Sequence, residues 1–239
     1  TDIDISGDNT RVWASVYGGG EVASVKGKAG ATEFATNILI SGGKIGKDKL
    51  DANKNVNGTQ FGGATMGNVY GGGKGHKDIV RAGQIKGNTK ITINGGTIYH
   101  NVYGGGAYAS VGDFKFTTSN QLPGFVGKDK VNGINATTPL DRTNTGKAEI
   151  YITGGTIGVD GIENGMVFGS SRGDVGEQRD LWLAWVYDTK VEIGDATNHT
   201  GPDIMGSVYG SGENGHVYTD TDVRIYDGTI GIYTSRSAE

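Results

Sequence analysis

Cysteine is absent from the chain, so disulfides and thiolate chemistry are excluded. Proline occurs only three times, at Pro123, Pro139 and Pro202, and each lies between the repeated motifs described below. Because proline cannot donate a backbone hydrogen bond, it belongs outside the interior of a sheet. These three positions therefore mark connecting segments and not strands.

Three other patterns are missing as well. No window keeps apolar residues at i, i+3, i+4 and i+7, which argues against amphipathic helices, and no apolar run approaches the length of a membrane span. The formal net charge is −4 and no basic stripe is present, which argues against nucleic acid as a partner. The four histidines are scattered without the HxH or HExxH spacing of a transition-metal site, so we predict no cofactor.

Glycine, in contrast, is abundant, with 45 of 239 residues, and most of it belongs to two alternating motifs. The first motif is VYGGG or a close variant, at 16–20, 69–73, 102–106, 167–171 and 208–212. The second is ITINGGTI or a variant, at 38–45, 91–98, 150–157 and 223–230, with partial copies at 3–8 and 191–195. Repeats of this kind specify an architecture more firmly than local propensities do.

The second motif has the pattern of a β-strand. In ITINGGTI, Ile91 and Ile93 alternate with polar residues, which places both isoleucines on one face. Glycine reaches backbone conformations that other residues avoid, so we expect Gly95 and Gly96 to end the strand at a corner. The glycines of VYGGG are expected to turn the chain in the same way.

The spacing of the motifs predicts how these strands are arranged. The shortest intervals between the two motifs, 15 and 11 residues, together approach the length of one three-sided coil. We therefore predict an all-β fold, a single-stranded parallel β-helix (β-solenoid) of five to six coils with long corner loops. It forms one domain over residues 1–239, and we expect right-handed winding, as in most parallel crossovers. Ile38, Ile91 and Ile150 should then point into one interior.

Stacking of the coils would also align the second residue of each VYGGG copy. We predict that these residues form an aromatic ladder in or beside the core: Tyr17, Tyr70, Tyr103, Phe168 and Tyr209.

The segment 172–190 has the densest mixture of charged and aromatic residues. Aromatic faces flanked by directional polar groups bind sugars and protein partners. We therefore predict a binding face here, with apolar contacts from Trp182, Trp185 and Tyr187 and polar contacts from Arg172, Asp174 and Arg179. The alternative is that both tryptophans pack under an adjacent loop.

Other chemistries remain open at the same segment. Parallel β-helices include many polysaccharide lyases and hydrolases, and Asp174, Glu177 and Asp180 beside Arg179 form the best local carboxylate cluster. A solvated charged loop explains these residues equally well. Residues 172–174 spell RGD, although the repeat itself accounts for this triplet. The aspartates lack the regular spacing of calcium-binding β-rolls, so we expect no calcium ladder.

The motifs NVYGGG, GNTKITINGGTI, VFGSSRGDVG and SVYGSGENGHVYTDTDVRIYDGTIG resemble the repeats of very long exported surface proteins of gut and oral Bacteroidetes. The likeness covers nearly the whole chain. It implies a β-helical, adhesin-like or stalk-like module that is secreted or displayed on the bacterial surface, and it supplies no catalytic residue that could be carried over to this chain. The expected partners are glycans or surface proteins, and individual specificity is expected in the long segments 46–67 and 107–149, which depart from the repeat.

The chain also reads as part of a longer repeat protein. Cut coils would leave open backbone donors and acceptors, so end-to-end self-association is expected.

Overall fold

The described part of the chain is built from β-strands and turns. The computed structural model describes residues 1–27, 33–46, 66–76, 79, 81–113, 146–159, 164–173 and 183–231, and these residues contain no helix. Their strands are β1 (Asp2–Ile5), β2 (Arg11–Val12), β3 (Val16–Tyr17), β4 (Val25–Lys26), β5 (Phe34–Ile40), β6 (Lys44–Ile45), β7 (Val69–Tyr70), β8 (Ile85–Lys86), β9 (Asn88–Ile98), β10 (Val102–Tyr103), β11 (Lys147–Ile157), β12 (Val167–Phe168), β13 (Trp185–Val186), β14 (Asp188–Ile193), β15 (Asp203–Ile204), β16 (Val208–Tyr209), β17 (His216–Val217), β18 (Thr221–Ile225) and β19 (Thr229–Ile230).

These strands form three stacks, and every pairing between two of them is parallel. The first stack runs β1-β5-β9-β11-β14-β18, with the short strands β2, β6, β15 and β19 at its side. The second stack runs β3-β7-β10-β12-β16. In the third, Val111 bridges Ile85 of β8 and Val186 of β13, and so connects the pair β4-β8 to the pair β13-β17. The prediction of parallel pairing is confirmed.

The chain visits the stacks in a fixed cyclic order. From β5 it passes to β7 in the second stack and β8 in the third, and then returns to the first stack at β9. The next rounds run through β10 and Val111 to β11, through β12 and β13 to β14, and through β16 and β17 to β18. Each stack therefore grows in chain order, with one strand or bridge added in each round.

The apolar residues of the first stack share one interior, as predicted. Ile38 pairs with Ile91, Ile91 with Ile150, and Ile150 with Val191. All four side chains are fully buried in a single hydrophobic cluster, together with the valines of the second stack. The period of two in the sequence thus translates directly into a buried face.

The expectation that Gly95 and Gly96 end the strand is wrong. β9 continues through both glycines to Ile98, and β11 continues through the equivalent pair in the next round. Gly96 has a φ of +81°, a left-handed conformation that bends the strand. The register between β9 and β11 shifts at this bend, and regular pairing then resumes as far as Ile98. Pairing with both neighbouring strands keeps the bent segment in the sheet.

Glycine is needed in the VYGGG motif for a different reason from the one expected. Gly71 and Gly104 have no left-handed φ; instead, a Cβ on Gly71 would lie 2.2 Å from the carbonyl oxygen of Gly104. A Cβ on Gly104 would lie at the same distance from the carbonyl oxygen of Gly169. The second stack is therefore packed backbone on backbone, and only glycine leaves enough room.

Threonine hydroxyls connect the first stack to this glycine corner. Thr89 Oγ1 donates to the Gly104 carbonyl oxygen at 2.7 Å, and Thr36 and Thr189 make the equivalent bond in other rounds. Ala148 occupies the same register position between Thr89 and Thr189, and its side chain cannot donate a hydrogen bond. These buried or partly buried bonds satisfy the backbone carbonyl groups of the glycine corner.

Candidate functional site along the aromatic ladder

The predicted aromatic ladder is confirmed. Neighbouring rings lie 4.8–5.1 Å apart between centroids, and their planes differ by only 5–9°. The ladder follows from the register of the second stack, which places each ring directly over the next. In order along the stack, the rings belong to Tyr17, Tyr70, Tyr103, Phe168 and Tyr209.

The ladder forms its own hydrophobic cluster, separate from the cluster that holds the valines of the same strands. Successive side chains of a strand point to opposite faces, so each valine faces the main interior and each ring faces outward. Ala107 and the partly buried Tyr108 and Met166 pack against the rings. Tyr70 and Tyr103 are consequently buried, while Tyr209 at the end of the ladder is exposed.

A polar group lies at the hydroxyl edge of the ladder. Tyr103 donates a hydrogen bond to Glu213 Oε2 and accepts one from Asn101 Nδ2 at 3.0 Å. Arg172 Nε lies 3.6 Å from the same Glu213 oxygen, and its guanidinium is 5.9 Å from the centre of the Tyr108 ring. The carboxylate of Glu213 thus contacts both a phenol and a guanidinium, which come from different rounds of the chain.

The ionisation of this group follows from its burial and neighbours. Burial raises the pKa of Tyr103 far above 10.0, and the charge of Glu213 raises it further. Burial also raises the pKa of Tyr70. Burial acts to lower the pKa of Arg172, but Tyr70, Glu213, Tyr103 and Tyr108 together raise it by more, so the net shift is upward. Around neutral pH the edge therefore holds neutral phenols and a guanidinium cation.

Asparagine side chains connect successive rounds just before the second stack. Asn101 Oδ1 accepts from the backbone N–H groups of Gly165 and Met166, at 3.1 and 2.9 Å. Asn68 Oδ1 accepts from the Asn101 backbone N–H at 3.1 Å. Each amide therefore satisfies backbone groups of the neighbouring round, as a buried polar side chain must.

His100 belongs to the same polar corner. Its Nδ1 is hydrogen-bonded to Asn68 Oδ1, so Nδ1 carries the proton of the neutral ring. Burial, followed by the positive charge of Arg172, lowers the pKa of His100 from 6.5 to about 4. The imidazole is therefore neutral at pH 7.

The predicted binding residues of the segment 172–190 are only partly described. Asp174, Arg179 and Trp182 lie outside the described residues, as do the carboxylates Glu177 and Asp180.

The arginine of the RGD triplet lies within the described part. The side chain of Arg172 is 14% exposed and pairs with Glu213, so this end of the triplet is held against the fold.

Trp185 and Tyr187 are both buried. Trp185 is 4% exposed, and its indole stacks on the His216 ring with 4.7 Å between centroids. Tyr187 packs near Tyr218 at 5.4 Å. The alternative expected both tryptophans to pack under an adjacent loop; Trp185 packs against His216, and Trp182 lies outside the described residues. The two rings have little surface with which to contact a ligand.

A second cluster, missed in the sequence, lies on the outer face of the first stack. Tyr151 has Lys90 Nζ 5.2 Å and Lys190 Nζ 5.1 Å from its ring centre, and its hydroxyl donates to Glu149 Oε2 at 2.7 Å. Burial and this hydrogen bond raise the pKa of Tyr151 to about 12. The sequence carried a signal: Lys90, Glu149 and Lys190 each precede the first apolar residue of an aligned motif.

Two classes of site are not found in the described part of the chain. No cluster of three or more histidine and carboxylate side chains there could hold a metal ion. Within the same residues, no helix has the length and apolarity needed to cross a membrane.

The geometry defines an all-β protein with stacked parallel strands, a stacked aromatic ladder and a polar group at the hydroxyl edge of that ladder. Comparison with protein-family models, with curated proteins and with solved structures gives no match for this chain.

Proposed function

We propose that the chain is a right-handed parallel β-helix of five to six coils. The observation that supports this proposal is the fixed cyclic order in which the chain visits three stacks of parallel strands. Right-handed crossover between parallel strands is the general rule. Equivalent residues then lie above one another in every coil, as the isoleucine rows and the aromatic ladder do.

The function proposed for this β-helix is that of a non-catalytic adhesin or stalk module, secreted or displayed on a bacterial surface. Its corner segments bind glycan or protein partners. The resemblance of the repeats to exported Bacteroidetes surface proteins supports the location. The engagement of Glu213 by Tyr103 and Arg172 supports a structural role for this carboxylate, since its Oε2 accepts a hydrogen bond from Tyr103 and pairs with Arg172.

A binding and cleavage screen tests this proposal. The purified protein is applied to a glycan array and incubated with a panel of polysaccharides. We expect the protein to be retained on a subset of the glycans, or on surface protein, and to leave the polysaccharides undegraded. Cleavage that is abolished by Asp174→Ala or Glu177→Ala would overturn the non-catalytic assignment, and the absence of any binding would leave a purely structural stalk.

The predicted binding face can be tested in the same assay. Arg179→Ala and Trp182→Ala should weaken retention, because directional polar groups and aromatic faces carry most binding energy at such sites. Trp13→Ala is the matched control, since Trp13 is an exposed tryptophan outside the segment 172–190. Equal effects of Trp13→Ala and Trp182→Ala on retention would show that the segment 172–190 is not the binding face.

A further inference from the structure

The turn between β18 and β19 brings a backbone nitrogen to a side-chain carboxyl group. β18 ends at Ile225 and β19 begins at Thr229, so Asp227 and Gly228 lie between the two strands. The Gly228 backbone N–H donates a hydrogen bond to Oδ1 of Asp227 at 2.7 Å. The donor therefore bonds to the side chain of the residue before it and not to a neighbouring strand. From this arrangement an aspartyl residue closes a five-membered succinimide ring.

The preceding round of the chain holds this peptide in place. A Cβ on Gly194 would lie 2.3 Å from the Asp227 nitrogen, and a Cβ on Gly201 would lie 2.4 Å from the Gly228 nitrogen. The turn is therefore packed backbone against backbone. Gly228 itself has a φ of +114°, which residues with a Cβ rarely adopt. The fold thus maintains the approach of nitrogen and carboxyl group, and such positioning lowers the entropic part of a reaction barrier.

A proton donor lies near the other oxygen of the same carboxyl group. His199 Nδ1 is 4.0 Å from Asp227 Oδ2, a separation that one water molecule can bridge. The backbone N–H of His199 donates to the Asp195 carbonyl oxygen at 2.9 Å, which holds the histidine in its turn. Because ring closure expels a carboxyl oxygen, an imidazolium at this position assists the step.

Two comparable positions lack this arrangement. The Asp195 carboxylate accepts from the backbone N–H groups of the second and third residues after it, at 2.8 and 3.1 Å. Asn94 is followed by Gly95, but both lie within β9, which pairs with a strand on each side. The contact with the next backbone nitrogen therefore distinguishes Asp227 from Asp195, although both are aspartates in turns.

We propose that Asp227 and Gly228 form a site of spontaneous covalent modification, at which the chain closes a succinimide and then opens it to isoaspartate, with His199 as the proton donor. The partner in the reaction is water, and no cofactor is needed. The proposal rests on the geometry of the turn and is independent of any adhesive function.

The atoms of the reaction balance. The Gly228 nitrogen forms a bond to Cγ of Asp227 while the bond from Cγ to Oδ2 breaks. Oδ2 takes one proton from protonated His199 and one from the Gly228 N–H, and leaves as water. A water molecule then adds to one of the two ring carbonyls. Opening at Cγ restores aspartate, whereas opening at the main-chain carbonyl leaves isoaspartate.

Isoaspartate would lengthen the main chain by one carbon atom just before β19. Thr229 pairs with Asp203 there, and its N–H donates to the Pro202 carbonyl oxygen at 2.9 Å. An extra backbone atom shifts this register. We therefore expect the modified protein to lose the pairing of β15 with β19, which hydrogen exchange of the Thr229 amide measures.

Peptide mapping of the intact folded chain tests the modification. After incubation in neutral buffer, mass spectrometry should find the peptide that contains Asp227 lighter by one water molecule. Enzymatic methylation of isoaspartate should then label the same position, and Asp195 should stay unmodified. In urea the fold no longer holds the nitrogen at the carboxyl group, so we expect formation to slow by about tenfold or more. An unmodified Asp227 in the folded chain, or an equal rate in urea, would overturn the proposal.

Two variants separate the roles within the site. Asp227→Glu keeps the carboxylate but requires a six-membered ring, so the product should be lost. His199→Asn removes the proton donor and keeps a residue that tolerates a positive φ, so formation should slow while the fold is retained. Circular dichroism and the thermal midpoint check that both variants are folded. An unchanged rate in His199→Asn would overturn the role given to His199, and product in Asp227→Glu would overturn the ring closure.

Discussion

Tyr103 donates a hydrogen bond to Glu213, although the two residues are separated by 110 positions in the sequence. Two rounds of the chain lie between them, and the stacking of the aromatic ladder brings the phenol to the carboxylate. Arg172 shares the same carboxylate oxygen, so three rounds contribute to one polar group. The ladder is therefore held by apolar stacking and also by hydrogen bonding at its edge.

This edge should contribute measurably to stability. Tyr103→Phe keeps the stacked ring, as Phe168 does in the next round, but removes the hydroxyl. Asn101 Nδ2 then loses an acceptor and Glu213 loses a donor, so we expect the free energy of unfolding to fall by about 1–3 kcal/mol. Urea unfolding measures the loss. In a double-mutant cycle with Glu213→Gln, additive effects of the two changes would contradict a direct coupling.

The close approach of backbones in the second stack predicts an unequal cost for two similar substitutions. Gly104→Ala places a Cβ 2.2 Å from a carbonyl oxygen, so the backbones must separate. We expect a loss near the upper end of the about 1–3 kcal/mol that overpacking typically costs. Gly210→Ala is the matched control, since its nearest neighbour is the Thr221 side chain at 2.9 Å. Equal thermal midpoints for the two variants would argue against this packing explanation.

Asn101 is expected to be the most sensitive of the polar corner residues. Asn101→Ala leaves the backbone N–H groups of Gly165 and Met166 without their acceptor. Each buried unsatisfied group costs about 1–3 kcal/mol, so the loss of both acceptor contacts should lower the free energy of unfolding by roughly 2–6 kcal/mol in urea unfolding. Asn198→Ala, at an exposed turn, should cost much less. The interpretation fails if both substitutions have the same effect.

Acid should destabilise the fold through His100. Its pKa is about 4 in the folded chain and near 6.5 when unfolded, so the unfolded state binds more protons between these values. The stabilisation is complete above pH 6.5 and is lost as the pH falls towards 4, by up to about 3 kcal/mol. Urea midpoints at pH 7, 5.5 and 4 measure the slope. His100→Gln should flatten it, and an unchanged slope would assign the acid sensitivity to other groups.

Much of the architecture was predictable because it depends on local patterns that recur. The alternation around Ile91 fixes which side chains share a face, and the same alternation in Ile38 and Ile150 aligns these faces between rounds. The aromatic ladder follows from the same register. Of the predicted binding residues, Arg172, Trp185 and Tyr187 could be placed, and the two rings lie inside the fold.

What the sequence determined by itself is the order and spacing of equivalent positions, since a two-residue period and a repeated motif are properties of the chain. Tertiary structure decided how closely the rounds approach one another and which side chains meet between them. The 2.2 Å approach that requires Gly104, the bond from Tyr103 to Glu213 and the stacking of Trp185 on His216 all join different rounds. Such contacts depend on how closely the rounds pack and on the path of the chain at the corners. A pattern in the linear sequence specifies neither of these.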